Sequence, residues 1–228
     1  MTLEHVSDPQ AAAVLRRLHQ SAEQAKSGMV SQHWPRMSAW FSGLGTSHAE
    51  RPEASVQAGA SLDPQQAAFL YSLVCGSKAR TIVEYGTALG VATIWLALAA
   101  RSNWGRVITT ELDPQRALAA GANIDEAGLS DVVDIWLGDA SQTLRSLDEP
   151  VDFVFSDGAP EKALEVLQLL RPVLIPGAVI VSKYTAFGSK EDRAYTDWLR
   201  HPANGFVSTT VPFQSSMEVS VFRGEPAH

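Results

Sequence analysis

The chain has one cysteine, Cys75, in 228 residues. That excludes an internal disulfide and any metal site built from clustered thiolates. Cys75 lies in an apolar helical pattern and reads as a small core residue. Positive charge is also scarce: 18 Lys and Arg stand against 25 Asp and Glu, a formal balance of −7. No basic footprint therefore exists for nucleic acid or an anionic membrane surface. Long apolar runs are missing, since none approaches the roughly 20 residues that a membrane span requires. The opening "MTLEHVSDPQ" lacks the basic and apolar regions of a secretory leader, so a cytoplasmic setting is expected. His5, His19, His33, His48, His201 and His228 follow no metal-ligand spacing, and His201 before Pro202 reads as a loop residue. Internal repeats and low-complexity tracts are absent. What is present, 45% hydrophobic and 19% charged residues, describes a soluble globular chain. Its length suits one α/β domain of ordinary size.

Residues 9–26 read as a helix, with Ala12, Leu15, Leu18 and Ala22 at three- and four-residue spacing. Residues 27–60 hold "QHWPRMSAWFSGLG" and Pro52 and read as a lid with short helices. There Trp34, Trp40 and Phe41 either line an acceptor pocket or pack in a core or dimer contact. A strong helix start follows in "SLDPQQAAFLYSLVC", with Asp63 as N-cap and Pro64 at the first helical position. Beyond it, β-rich runs at 81–85, 106–111, 132–139, 151–157 and 178–182 alternate with helical segments near 88–101, 114–127, 140–147 and 160–172. This repeat predicts a parallel sheet with helices on both faces. "VSTTVPFQ" and "MEVSVFRG", joined near Ser215, predict an antiparallel hairpin. The expected architecture is α/β: a Rossmann-like, doubly wound, mostly parallel seven-stranded sheet with a C-terminal antiparallel hairpin and an N-terminal helical cap. The expected division is a cap over 1–60 and the sheet domain over 61–228.

Chemistry in such sheets gathers at the carboxyl ends of strands. "VEYGTALG" closes the first core strand and opens a helix, and Gly86 and Gly90 permit a tight turn with close ligand approach. Glu111 ends the next strand 21 residues after Gly90 (111 − 90), where a carboxylate can accept both hydroxyls of a ribose. "GDAS" ends the third strand, where Asp139 and the Ala140 amide can meet an adenine edge. Each acid alone is also compatible with a solvated strand end; the series at successive strand ends is what points to a nucleoside. A dinucleotide turn needs a third glycine beside the pyrophosphate. Here the spacing is Gly-x-x-x-Gly and Glu84 precedes it, an acid placed for an ammonium. The pattern favours S-adenosyl-L-methionine over NAD.

Six stretches together, "VEYGTALGVATIWLA", "TTELDPQRALAAGANIDEAGL", "GDASQTL", "VDFVFSDG", "LRPVLIPGAVIV" and "PANGFVSTTVPFQSSMEVSV", resemble the class I S-adenosylmethionine-dependent O-methyltransferases of the catechol and caffeoyl-CoA type. The resemblance runs from about Leu62 to Arg223, and "VLRRLHQSAEQ" looks like a bacterial and fungal branch. It implies that Glu84, Gly86, Thr87 and Gly90 line the methionine part of the cofactor. It places Glu111 at the ribose and Asp139 and Ala140 at the adenine, with Leu112, Gly138 and Asp157 also beside the cofactor. S-adenosyl-L-homocysteine would be the product.

The resemblance breaks where that family holds a divalent ion, with one Asp after the fourth strand, an Asp-Asn pair after the fifth, and a helper Lys. Here the first Asp is Asp157, Lys183 and Tyr184 replace the pair, and Pro160 stands at the helper position. Magnesium or calcium wants several oxygen ligands, which one carboxylate beside an ammonium does not provide. No metal is expected. Lys183 instead takes the place of the cation beside Asp157, or acts as a base with a pKa lowered by burial. The plainer alternative is an ion pair filling a vacated metal site. Tyr184 either meets the acceptor or packs. The expected activity is metal-independent O-methylation of a small aromatic or carboxylated molecule, in a homodimer. The competing readings are a cofactor-binding protein without methyl transfer, and a nicotinamide-dependent reductase.

Overall fold

The computed structural model describes residues 6, 8–24, 62–183, 189–213 and 215–224. Trp34, Trp40, Phe41 and Tyr184 lie outside the described residues. Helix α1 (9–24) precedes α2 (Pro64–Ser77), β1 (Thr81–Tyr85), α3 (Val91–Ser102), β2 (Arg106–Glu111) and α4 (Pro114–Glu126). There follow β3 (Val133–Leu137), the short α5 (Ala140–Thr143), β4 (Val151–Ser156), α6 (Pro160–Leu170) and β5 (Leu174–Lys183). The chain closes with α7 (Lys190–Arg200), β6 (Phe206–Val211) and β7 (Met217–Phe222). Among the described residues no helix is long and apolar enough to cross a membrane.

The seven strands run β3-β2-β1-β4-β5-β7-β6, with the first five parallel and β7 and β6 antiparallel. Order therefore reverses between β1 and β4, the switch point at which open α/β sheets leave a crevice at their carboxyl ends. β1, β2 and β4 are buried on both faces, as a parallel sheet covered on two sides requires. Ile82, Val107, Phe153 and Phe155 point toward α1, α2 and α3, while Val83, Ile108, Val154 and Ile180 point toward α6 and α7. Helix α1 adds Ala11, Val14, Leu15 and Leu18 to the first of these cores. Arg17 of α1 also donates to Asn123, whose amide donates in turn to the Leu89 carbonyl in the turn after β1.

The start of α2 has the Asp63 N-cap and Pro64 read from the sequence, and the structure completes a capping box: Asp63 accepts from the Gln65 amide, and the Gln66 side chain accepts from the Asp63 amide. Strand bounds differ most in two places. β3 stops at Leu137 because Gly138 turns to a φ of +136°, and β5 begins at Leu174, earlier than the apolar run, through an irregularity in its pairing with β4. Helix α7 was not expected from the sequence; its apolar stripe is sparse, with Tyr195 and Leu199 buried along one side of "KEDRAYTDWLR". Its start is fixed by a Ser189–Asp192 capping box. Its end is tied to the hairpin by Arg200, which donates twice to the fully buried Glu218 at 2.9 Å. Ser208 and Thr210 donate to the same carboxylate.

Candidate active site

The turn after β1 is left-handed at Gly86 (φ +97°), Ala88 (+51°) and Gly90 (+84°). The Gly86 and Thr87 amides both donate to the Thr110 carbonyl, at 3.2 and 3.1 Å. A Cβ on Gly86 would stand 2.8 Å from both the Cα and the amide nitrogen of Gly158, so backbone lies directly on backbone across the switch point. Gly86→Ala combines this clash with a strained φ. We expect it to destabilise the fold by about 2–3 kcal/mol and lower the melting temperature by roughly 5–10 °C, read by thermal denaturation. An unchanged melting curve would show that the two turns separate without penalty.

Glu84 is fully buried beneath this turn. Thr93 of α3 and Thr109 of β2 donate to its Oε2 at 2.5 and 2.6 Å, while its Oε1 has no partner among the described residues. Burial pushes the carboxyl up to about 8, the threonine bonds pull it down, and Asp157 and Glu111 raise it further. A buried acceptor without a donor, beside a turn open to close approach, suits an incoming ammonium group. The residues present thus fit the aminoacyl end of S-adenosylmethionine. The Thr87 hydroxyl turns inward to the Thr110 carbonyl and the Thr109 hydroxyl.

Glu111 is buried and receives the Ala88 amide at 2.8 Å and the Asp113 amide at 3.0 Å, one on each oxygen. Each oxygen keeps a second lone pair for a hydroxyl donor. Leu112 beside it is 69% exposed, an uncovered apolar surface at the strand end. Farther along, Asp139 caps α5 through the Ser141 amide at 2.8 Å, and these Ser141 hydrogen bonds hold its carboxyl below the ordinary range. Lys162 lies 4.0 Å from Asp139 and pairs with Glu165, so it does not reach toward Asp157. Ala140 is buried at the first position of α5, directly after the Asp139 cap.

Lys183 and Asp157 meet at 3.2 Å, their side chains only 10% and 19% exposed. Burial pushes the Asp157 carboxyl up, and the Lys183 ammonium draws it back. Glu84 aligns with Phe155, and Phe155 with Val181; Asp157 and Lys183 each follow two residues later. The period of two therefore puts Glu84, Asp157 and Lys183 on one face, across three adjacent strand ends. Behind them, on the other face, Ser182 hydrogen-bonds Tyr195 at 2.6 Å, and burial raises the Tyr195 hydroxyl well above its ordinary value. Among the described residues no three His, Cys, Asp or Glu side chains gather as metal ligands. One carboxylate bound to an ammonium is a poor donor set for a hard divalent cation. The partners that sequence spacing did not disclose are Thr93, Thr109, Tyr85 and Gly158.

A methyltransferase-domain family model matches residues 83–183. The catechol O-methyltransferase of Niastella koreensis is 40% identical over 126 residues, 54% of this chain and 57% of that protein. The chain thus spans little more than half the length of that relative. A protein provisionally named O-methyltransferase in Mycobacterium sp. strain JLS is 32% identical over 152 residues, 64% of this chain and 67% of its own. Among solved structures, cofactor-bound Rv0187 from MTB superposes with a TM-score of 0.70 at 26% identity, covering 92% of this chain and 90% of that one.

Proposed function

The chain belongs to the O-methyltransferase family, and we propose that it moves a methyl group from S-adenosylmethionine to an oxygen of a small aromatic or carboxylated molecule, without a divalent metal. The observation that carries this reading is the Lys183–Asp157 pair at the switch point, beside the buried Glu84. The cofactor supplies a sulfonium-bound methyl group open to in-line displacement. The chain's own residues position the partners, which accounts for much of the acceleration in such a reaction.

Glu84 accepts the cofactor's ammonium, Gly86 lets the aminoacyl end lie against backbone, and Glu111 accepts the ribose hydroxyls. Asp139 and the Ala140 amide would hold the adenine, with Leu112 and Gly138 beside it. Lys183 holds the acceptor oxygen as an anion, the task that a divalent ion performs when one is present. Asp157 orients Lys183. Phenolate and carboxylate acceptors held in this way need little further base catalysis. The protein acts in the cytoplasm as a homodimer.

The test is transfer of labelled methyl groups from S-adenosylmethionine into a panel of phenols and aromatic carboxylates. S-adenosylhomocysteine is expected in equal amount with a methyl ether or ester. Cofactor binding with no S-adenosylhomocysteine across the panel would favour a protein that only binds.

A further inference from the structure

We propose that Tyr85 is a positioning residue: it clamps the loop after β4 and thereby sets where the Asp157 carboxylate meets Lys183. The inference rests on the proposed transfer site but concerns a residue whose side chain lies on the opposite face of the sheet from Glu84. Three consecutive loop residues are held by this single side chain and its backbone. The Asp157 amide donates to the Tyr85 carbonyl at 2.9 Å. The Tyr85 hydroxyl donates to the Ala159 carbonyl at 3.1 Å. Between them, a Cβ on Gly158 would stand 2.4 to 2.7 Å from three atoms of the Tyr85 ring, so the ring rests on the bare Cα.

From the other side Gly86 closes on the same Gly158 backbone. Gly158 is thus gripped between an aromatic ring and the cofactor turn. At the junction Ala159 caps α6 with no side-chain hydrogen bond, and its carbonyl also receives the Lys162 amide at 3.0 Å. Tyr85 is buried with the β4 and β5 residues of that face, and burial pushes its hydroxyl up to about 12, which keeps it a neutral donor. A loop free to shift by an ångström would misplace Asp157, and such displacements lower rates by as much as about 100-fold.

Tyr85→Leu removes both ring and hydroxyl, Tyr85→Phe only the hydroxyl, and Gly158→Ala drives a methyl group into the ring. Tyr85→Leu is expected to lower kcat between about 10- and 100-fold with cofactor Kd within about threefold, and Tyr85→Phe to recover most of the loss. Amide exchange at Asp157, Gly158 and Ala159 should quicken by about tenfold in Tyr85→Leu. Gly158→Ala should lower kcat similarly. Combined with Tyr85→Leu it should fall no further than the worse single variant, because both break one contact. If Tyr85→Leu does not fold, Gly158→Ala carries the same readouts. Unchanged loop exchange in the variants, or fully additive losses in the pair, would overturn the clamp. Exchange is measured without turnover, so quickened exchange upholds the clamp even if the wild type transfers no methyl group, an outcome that would count against the function alone.

Discussion

Lys183→Met is expected to slow methyl transfer by about two to three orders of magnitude while leaving cofactor affinity within about threefold. Removing one fixed donor at a developing or held oxyanion has effects of this size in sites that exclude water. Lys183 is 10% exposed and its ammonium lies 3.2 Å from Asp157, so its charge acts in a poorly screened setting. The anchors proposed for the cofactor, Glu84 and Glu111, belong to other strands, which is why binding should survive. In the methionine variant Asp157 loses the one influence that lowers its pKa and moves further toward protonation. Lys183→Arg separates the two roles open to this side chain. Arginine keeps the positive charge but does not lose its proton in the working range. Substantial recovery in the arginine variant assigns electrostatic work to residue 183, and none assigns base catalysis. Single-turnover rates and calorimetric cofactor affinities are the measurements, and full turnover by Lys183→Met with intact binding would remove the residue from the mechanism.

Glu84 yields the second large effect, and its sign follows from burial. Its carboxyl in the folded chain titrates near 8, against an ordinary value of 4.5. Between those limits the folded state binds more protons than the unfolded state, so stability is greatest below about 4.5 and falls as pH rises toward 8. The slope approaches about 1.4 kcal/mol per pH unit for one fully linked proton. The groups facing Glu84 act in both directions: Asp157 and Glu111 oppose its charge, and the Thr109 and Thr93 hydroxyls favour it but only partly offset burial. An ammonium arriving at Oε1 favours the ionised form. Cofactor binding at pH 7 should therefore release most of one proton, detected by calorimetry in buffers of different ionisation enthalpy. Glu84→Gln should flatten the stability profile over that window and weaken cofactor binding by about 10- to 100-fold, the worth of one charge-assisted hydrogen bond. Binding without proton release at pH 7 would contradict this role for Glu84.

Where local chemistry decides, the sequence is legible. Asp63 before Pro64 specifies the start of α2, and Gly86 and Gly90 specify a turn that their φ values confirm. Strand alternation placed Asp157 and Lys183, 26 residues apart, at neighbouring strand ends, and the structure pairs them. What stayed hidden depends on packing between elements. Thr109 meets Glu84 through the β1–β2 register, and Thr93 only once α3 packs on the sheet, so nothing in the spacing marks those threonines as its donors. Helix α7 carries too thin an apolar stripe to announce itself, yet it supplies Tyr195 behind Ser182 and Arg200 to Glu218. The grip of Tyr85 on Gly158 is a ring lying on backbone, a contact between residues 73 positions apart (158 − 85) that no periodicity encodes.

The central claim is that the ammonium of residue 183 does the work of a divalent ion. Its most direct test is the transfer rate of exhaustively chelated wild-type protein across a magnesium titration. A rate that is full at the start and flat throughout is predicted. Activity absent after chelation and restored along a saturable magnesium curve would contradict it.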